Sequence, residues 1–292
     1  MRRHILIKFF TLALIVTLNF IQANAESHET ITNNGSPQNR VDIAILGDGY
    51  TSAQQAQYRS DVQQFMQNVF LQEPYREYQR FYNVHRIDVI SNQSGADHPE
   101  RNPPVFVDTA LNATYNCSNI QRLICVNTTR ANQIVNQSLP AGHFDVILVI
   151  VNDTEYGGSG GSVAVASIDQ SAVELILHEV GHSFGLLADE YDGGGPTCNP
   201  NIEPSAPNST RQTSLPLIKW KHWIAAGTPI PTITTAPAIP GLYEGSSYCT
   251  TGLYRPTYSN KMRALGVPFE RINVEQHVKR VYNFGLCLKS VE

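Results

Sequence analysis

What this 292-residue chain lacks removes several classes of function at once. No basic tract runs through it, and acidic residues outnumber basic ones by 25 to 21; this argues against nucleic acid or an anionic membrane as the partner. None of its five cysteines forms a C-x-x-C pair, so a thiolate zinc site is not expected. Beyond the first 25 residues no stretch is long and apolar enough to cross a bilayer. Internal repeats and low-complexity segments are absent as well.

The first 25 residues are of a different kind. Arg2, Arg3 and Lys8 make a positive start, residues 9–20 are apolar, and Ala23-Asn24-Ala25 is a small-x-small cleavage site. That pattern predicts a secretory signal cleaved after Ala25 and a secreted or periplasmic product, with no membrane partner once the signal is gone. Cleavage removes three basic and no acidic residues, which leaves 267 residues with 18 basic against 25 acidic groups, a net charge of −7. Export permits disulfides. Cys117 with Cys125 is the first expected pair and Cys198 with Cys249 the second, leaving Cys287 over. Sequons occur at Asn112 and Asn208 and matter only in a host that glycosylates.

Residues 26–40 are polar and read as a flexible lead-in, and residues 41–292 as one domain, with an upper part over 41–185 and a loop-rich lower part over 186–292. Residues 41–46, 82–90 and 144–151 read as strands, the last apolar throughout as a strand buried on both faces should be. Thr51 caps a helix running toward Leu71, and a second helix is expected over 130–137. Residues 162–168 alternate beside glycines, which suits an exposed sheet edge. Ser171 then caps a helix ending near Ala188, residues 192–260 read as long loops, and a last helix covers 273–282. Strands alternating with helices give an α/β (α+β) layered architecture.

The densest chemistry lies at His178-Glu179-Val180-Gly181-His182, an H-E-x-x-H run. Two histidines four apart on a helix stand one above the other, so both imidazoles can reach one ion. The glutamate between them points toward the place of a metal-activated water. Val173, Ile176, Val180, Phe184 and Leu187 form a buried stripe, while His178 and His182 face the other way beside Gly181 and Gly185. Catalytic zinc usually takes three protein ligands and one water. A histidine six residues after His182 would complete the set, but Ala188 stands there. Asp189, with Glu190 as the alternative, becomes the third ligand if the chain breaks near Gly185 and doubles back; a straight helix would carry it about 10 Å too far along the axis.

The run H-E-V-G-H-S-F-G-L-L-A-D-E-Y resembles the signature of the IgA-peptidase family, secreted bacterial zinc peptidases related to the metzincins. Residues 42–50 (D-I-A-I-L-G-D-G-Y), 156–161 (Y-G-G-S-G-G) and 254–265 (Y-R-P-T-Y-S-N-K-M-R-A-L) are similar to that family too. One departure is Gly185, three residues after His182, where related sequences often place the glycine one residue later. The resemblance implies a metzincin-like fold: a twisted mixed sheet, an edge strand above the active-site helix, and a loop-rich C-terminal subdomain. It also implies that Met262 forms the apolar methionine turn beneath the metal.

The chemistry expected is hydrolysis of peptide bonds in a protein or peptide substrate, with Zn²⁺ as cofactor and Glu179 as general base and acid. The edge carrying Gly158, Gly160 and Gly161 suits an extended substrate added as a strand. Tyr258 or Arg263 supplies the donor to the developing oxyanion. Two rivals compete. Gly157 to Gly161 also spells G-x-S-x-G, with Ser159 as a nucleophile and Asp189 and His222 as its triad partners, yet a strand rather than a helix follows it. A secreted, zinc-stabilised adhesion or binding module without turnover is the non-enzymatic alternative. No long inhibitory segment is expected before the first strand, and the sequence does not give the oligomeric state.

Overall fold

A computed structural model of the chain describes residues 27–169, 171–193 and 198–286. The expected signal, its cleavage site and Cys287 lie outside the described residues.

In chain order the regular elements are β1 (Ser27–Thr32), β2 (Val41–Asp48), α1 (Gln55–Val69), α2 (Tyr75–Tyr78), β3 (Tyr82–Asp88), α3 (Thr128–Ser138), β4 (Val146–Val151), β5 (Gly158–Ser159), β6 (Ala164–Ser167), α4 (Ala172–Ser183), β7 (Tyr243–Ser246), β8 (Cys249–Arg255) and α5 (Glu270–Leu286). Six strands form one mixed sheet in the order β1-β3-β2-β4-β6-β5. Its four central strands run parallel, and β1 and β5 close the two edges antiparallel.

The pleat sorts the central strands between two cores. Ile43 and Ile45 face one core with α1 and α4, while Ala44 and Leu46 face the other with α3 and the 96–124 loops. Sandwiched strands have no solvent face, which is why β2 and β4 are buried at every position. The polar residues of β2 serve the fold. Asp48 accepts from the backbone of Leu111 at 2.8 Å and Ala113 at 2.9 Å and from Thr109 Oγ1 at 2.8 Å, pinning that loop over the sheet. Burial raises the pKa of Asp48, and those N–H and O–H donors work against the rise.

Several expectations are corrected. The lead-in is not loose where it is described: Ser27–Thr32 pairs antiparallel with β3, from Ser27 opposite Asp88 to His85 opposite Thr30. Its first four side chains are exposed and only Ile31 packs, partly, against the core, so no burial pattern marks it. The edge strand is β5, itself partly covered, since β6 is buried along its length between β4 and β5. Ser171 sits at the N-cap of α4 without a side-chain bond to the helix, and α4 ends at Ser183 rather than near Ala188. The 192–260 region contains the β7–β8 hairpin and a third core around Trp220, Ile218, Leu242 and Ile272. Both expected disulfides, Cys117–Cys125 and Cys198–Cys249, are present.

Candidate metal centre

α4 lies under the β5–β6 edge, with Ile176, Val180, Phe184 and Leu187 buried in the core and Val173 packed partly against it. The opposite face of the helix brings His178, Glu179 and His182 into a cleft of about 790 Å³. After Ser183 the chain turns back. Leu186 N–H donates to His182 O at 3.1 Å and Leu187 N–H to Gly181 O at 3.0 Å, and Leu186 takes a left-handed φ of +56°. This reversal is what brings Asp189 to the histidines. The strained position is Leu186, one residue later than the glycine at Gly185.

The three side chains meet tightly. Nε2 of His178 and Nε2 of His182 are 3.2 Å apart, and Asp189 Oδ1 lies 3.1 Å from the first and 3.3 Å from the second. Ligand atoms about 3.3 Å apart are what a tetrahedral ion with bonds of about 2.0–2.1 Å requires. Proton bookkeeping points the same way. Nδ1 of His178 donates to Lys261 O at 2.9 Å and Nδ1 of His182 to Leu187 O at 2.8 Å. A carbonyl only accepts, so each neutral ring presents a bare Nε2 lone pair to the other and to Asp189. Asp189 Oδ1 is buried with no hydrogen-bond donor. Three converging acceptors need a cation between them, and the residues fit one.

The electrostatics of the three side chains agree. Burial lowers the proton affinity of His182, but contact with Asp189 outweighs it and raises the pKa. Burial works against ionisation of Asp189 too, yet the two imidazoles and Tyr248 hold its carboxyl well below the carboxylate range. A proton is thus the competitor for the space the ion would fill. Burial raises the pKa of Glu179, with the two histidines opposing it, which suits a group that must carry a proton transiently.

The surroundings fix this geometry. Met262 is fully buried beneath α4, so close that a Cβ on Gly181 would stand 2.5 Å from its Sδ. Gly160 passes directly over Glu179, where a Cβ would lie 2.2 Å from Oε2. Glu190 is not brought to the cluster. It is fully buried, its N–H donates to Met262 O at 2.8 Å, and its carboxylate accepts from Asn208, Asn260 and Asn273 at 2.8, 2.5 and 2.9 Å. Asn208 is likewise fully buried, which leaves its sequon no room for a glycan.

Other predicted site residues are placed differently. Tyr258 is not in the cleft wall; its ring packs against Arg255, Arg263 and Tyr243. The phenol at the centre is Tyr248, whose Oη donates to Asp189 Oδ2 at 2.5 Å with Tyr191 Oη 3.2 Å away. Nothing local in the sequence marks it. Tyr248 arrives on the β7–β8 turn with Ser247 at φ +50° and itself at +67°, a pair of left-handed positions where Asn-Gly is the usual choice. Strain of this kind gathers at binding sites. Gly158 is not free to pair a substrate, because its N–H donates to Arg122 O at 3.0 Å and its carbonyl accepts from Ile124 N–H at 3.3 Å. Gly160 and Gly161 do line the cleft, and so does Arg263.

Ser159 donates to Ile124 O at 2.6 Å from within β5, and His222 pairs with Glu275 at 3.0 Å, so the serine triad is not assembled. A second group of potential ligands, His98 with Glu100 and Glu155, exists among the described residues. There Arg101 already supplies the positive charge, 2.7 Å from Glu155. A larger groove of about 1140 Å³ beside β1 and α1 gathers no such set of ligating atoms.

Fold and site together define an α/β protein with a cation-demanding histidine–aspartate cluster and a buried carboxylate in one cleft. The chain belongs to the IgA peptidase M64 family, whose family model matches residues 30–236. It is therefore a peptidase, acting on protein or peptide, and the family points to a metal cofactor. The matched span holds His178, Glu179, His182 and Asp189, and ends before Tyr248 and Met262. No curated protein matches the chain.

Proposed function

We propose that the protein is a secreted or periplasmic zinc-dependent endopeptidase, exported with the loss of residues 1–25. The observation that carries this reading is the triangle of bare acceptor atoms, 3.1 to 3.3 Å on a side, formed by His178, His182 and Asp189. Two imidazoles, one carboxylate and an open side toward the cleft suit zinc with its fourth position free. When bound, the ion supplies Lewis acidity to a water molecule and to the scissile carbonyl.

The chain's own residues do the rest. Glu179 accepts the proton of the attacking water and returns it to the departing amine. Gly160, lying across that carboxylate without a side chain, leaves it room and limits its swing. Lys261 O and Leu187 O keep each imidazole in the tautomer that leaves Nε2 free. Tyr248 orients Asp189 through its O–H and, unlike Tyr258, lines the cleft; donation to the developing oxyanion requires that O–H to turn from Asp189 to the substrate. Met262 serves as an apolar floor below α4. Gly161 and the open part of the β5 edge receive the extended substrate.

Glu179→Gln is the deciding substitution. Removal of the general base lowers turnover of a mixed-peptide substrate by a factor on the order of 10² to 10⁴, with metal content by elemental analysis unchanged. Undiminished cleavage by that variant would refute the mechanism.

A further inference from the structure

The cleft has a charge pattern that the reaction itself does not use. Outside the histidine–carboxylate centre, the charged side chains lining it among the described residues are Arg122 and Arg263, both positive. They stand in a chain whose acidic groups outnumber its basic ones. With a divalent ion in place, the carboxylates of Asp189 and Glu179 are offset, and the two guanidinium groups leave the cleft positive.

Arg122 is exposed, and its guanidinium makes no hydrogen bond or ion pair among the described residues. Its backbone is nevertheless fixed. The Cys117–Cys125 disulfide closes the loop, Arg122 O accepts from Gly158 N–H at 3.0 Å, and Leu123 bridges to Gly158 on β5. A glycine at 157 lets the loop sit this close, since a Cβ there would lie 2.8 Å from Arg122 O. The guanidinium is near enough for its charge to act on both Glu179 and Tyr156. Arg263 comes from the segment after Met262 and is held in place, with Nη1 donating to Tyr258 O at 2.7 Å and the group 5.2 Å over the Tyr258 ring. Asp192 stands 4.0 Å from Arg263 and dilutes its charge, whereas among the described residues no carboxylate lies within 4 Å of the Arg122 guanidinium. A free cation on a rigid loop beside the reacting groups is a reader of anions.

We infer that the cleft selects peptides with acidic side chains flanking the scissile bond, and that Arg122 is the residue that chiefly reads them. This rests on the peptidase reading above and adds a substrate class to it.

The test separates the two. Full-length, zinc-loaded Glu179→Gln protein is used to capture peptides from a random synthetic library, and the bound fraction is sequenced. Enrichment of Asp and Glu by about threefold or more over Gln and Asn is expected, shrinking at high salt. Adding Arg122→Glu reverses the bias toward Lys and Arg, and Arg122→Gln abolishes most of it. Absence of enrichment, or an acidic bias unchanged by Arg122→Glu, overturns the proposal. The same library incubated with the unsubstituted protein reports cleavage by mass spectrometry. Acid-biased capture without cleavage would count against the peptidase reading alone, and cleavage without charge bias against the acidic preference alone.

Discussion

Leu186 sits at φ +56° with 51% of its surface exposed, on the reversal that carries Asp189 back to the histidines. A left-handed conformation costs a side-chain-bearing residue about 1–2 kcal/mol, and burial returns little of it here. Leu186→Gly is expected to stabilise the protein by about 0.5–1 kcal/mol once the entropy of glycine in the unfolded chain is deducted. Denaturant titration measures this, with metal content unchanged. Tyr248 acts on the same ligand from the other side. Loss of its hydroxyl in Tyr248→Phe is expected to weaken zinc binding by about 10- to 100-fold, read by competition with a chromophoric chelator. These two residues mark where sequence reading stops. His178, Glu179 and His182 were legible because helical spacing alone fixes their relation. Asp189 was legible only conditionally, on a reversal near Gly185. Tyr248 was not legible, since it lies 59 residues beyond Asp189 and arrives through tertiary packing.

Among the elements, α4 and the β5 edge form the working pair. Gly160 leaves β5 directly over Glu179, so even one methyl group there must displace the carboxylate. Gly160→Ala is expected to keep the fold and its metal yet lose activity by about 10²-fold, the usual consequence of a misplaced catalytic group. Melting curves, metal analysis and turnover together check it. The two buried faces of β4 were evident in the sequence because an apolar run reports burial, while β2, interrupted by Asp42, was read as a strand without them. β1 was missed because Ile31 is its one apolar residue, and its other side chains are polar and mostly exposed. The β7–β8 hairpin was missed because its turn is Ser-Tyr, not a glycine-bearing pair. The glycines of residues 157–161 read as an open edge, yet part of that edge is already occupied by Arg122 and Ile124.

Across the whole molecule, the residues after α4 share the main core with the sheet through Met262, Phe269 and Val281, and polar contacts tie them to α4 as well. Lys261 gives its carbonyl to His178 and its ammonium to Glu174 on the same helix. Glu190 gathers Asn208, Asn260 and Asn273 from three separate segments. The Cys198–Cys249 bridge secures the strand beside Tyr248 across 51 residues of chain, a closure worth up to about 4 kcal/mol in the chain-entropy view. Of these contacts, the Lys261 carbonyl reaches the ligand set directly, at His178. The account stands or falls on what fills the space between the side chains of His178, His182 and Asp189. Diffraction from zinc-loaded crystals at the zinc edge should give one strong anomalous peak per chain, about 2.0–2.1 Å from both Nε2 atoms and from Asp189 Oδ1. No peak there, or a peak only at another site such as His98, would contradict it.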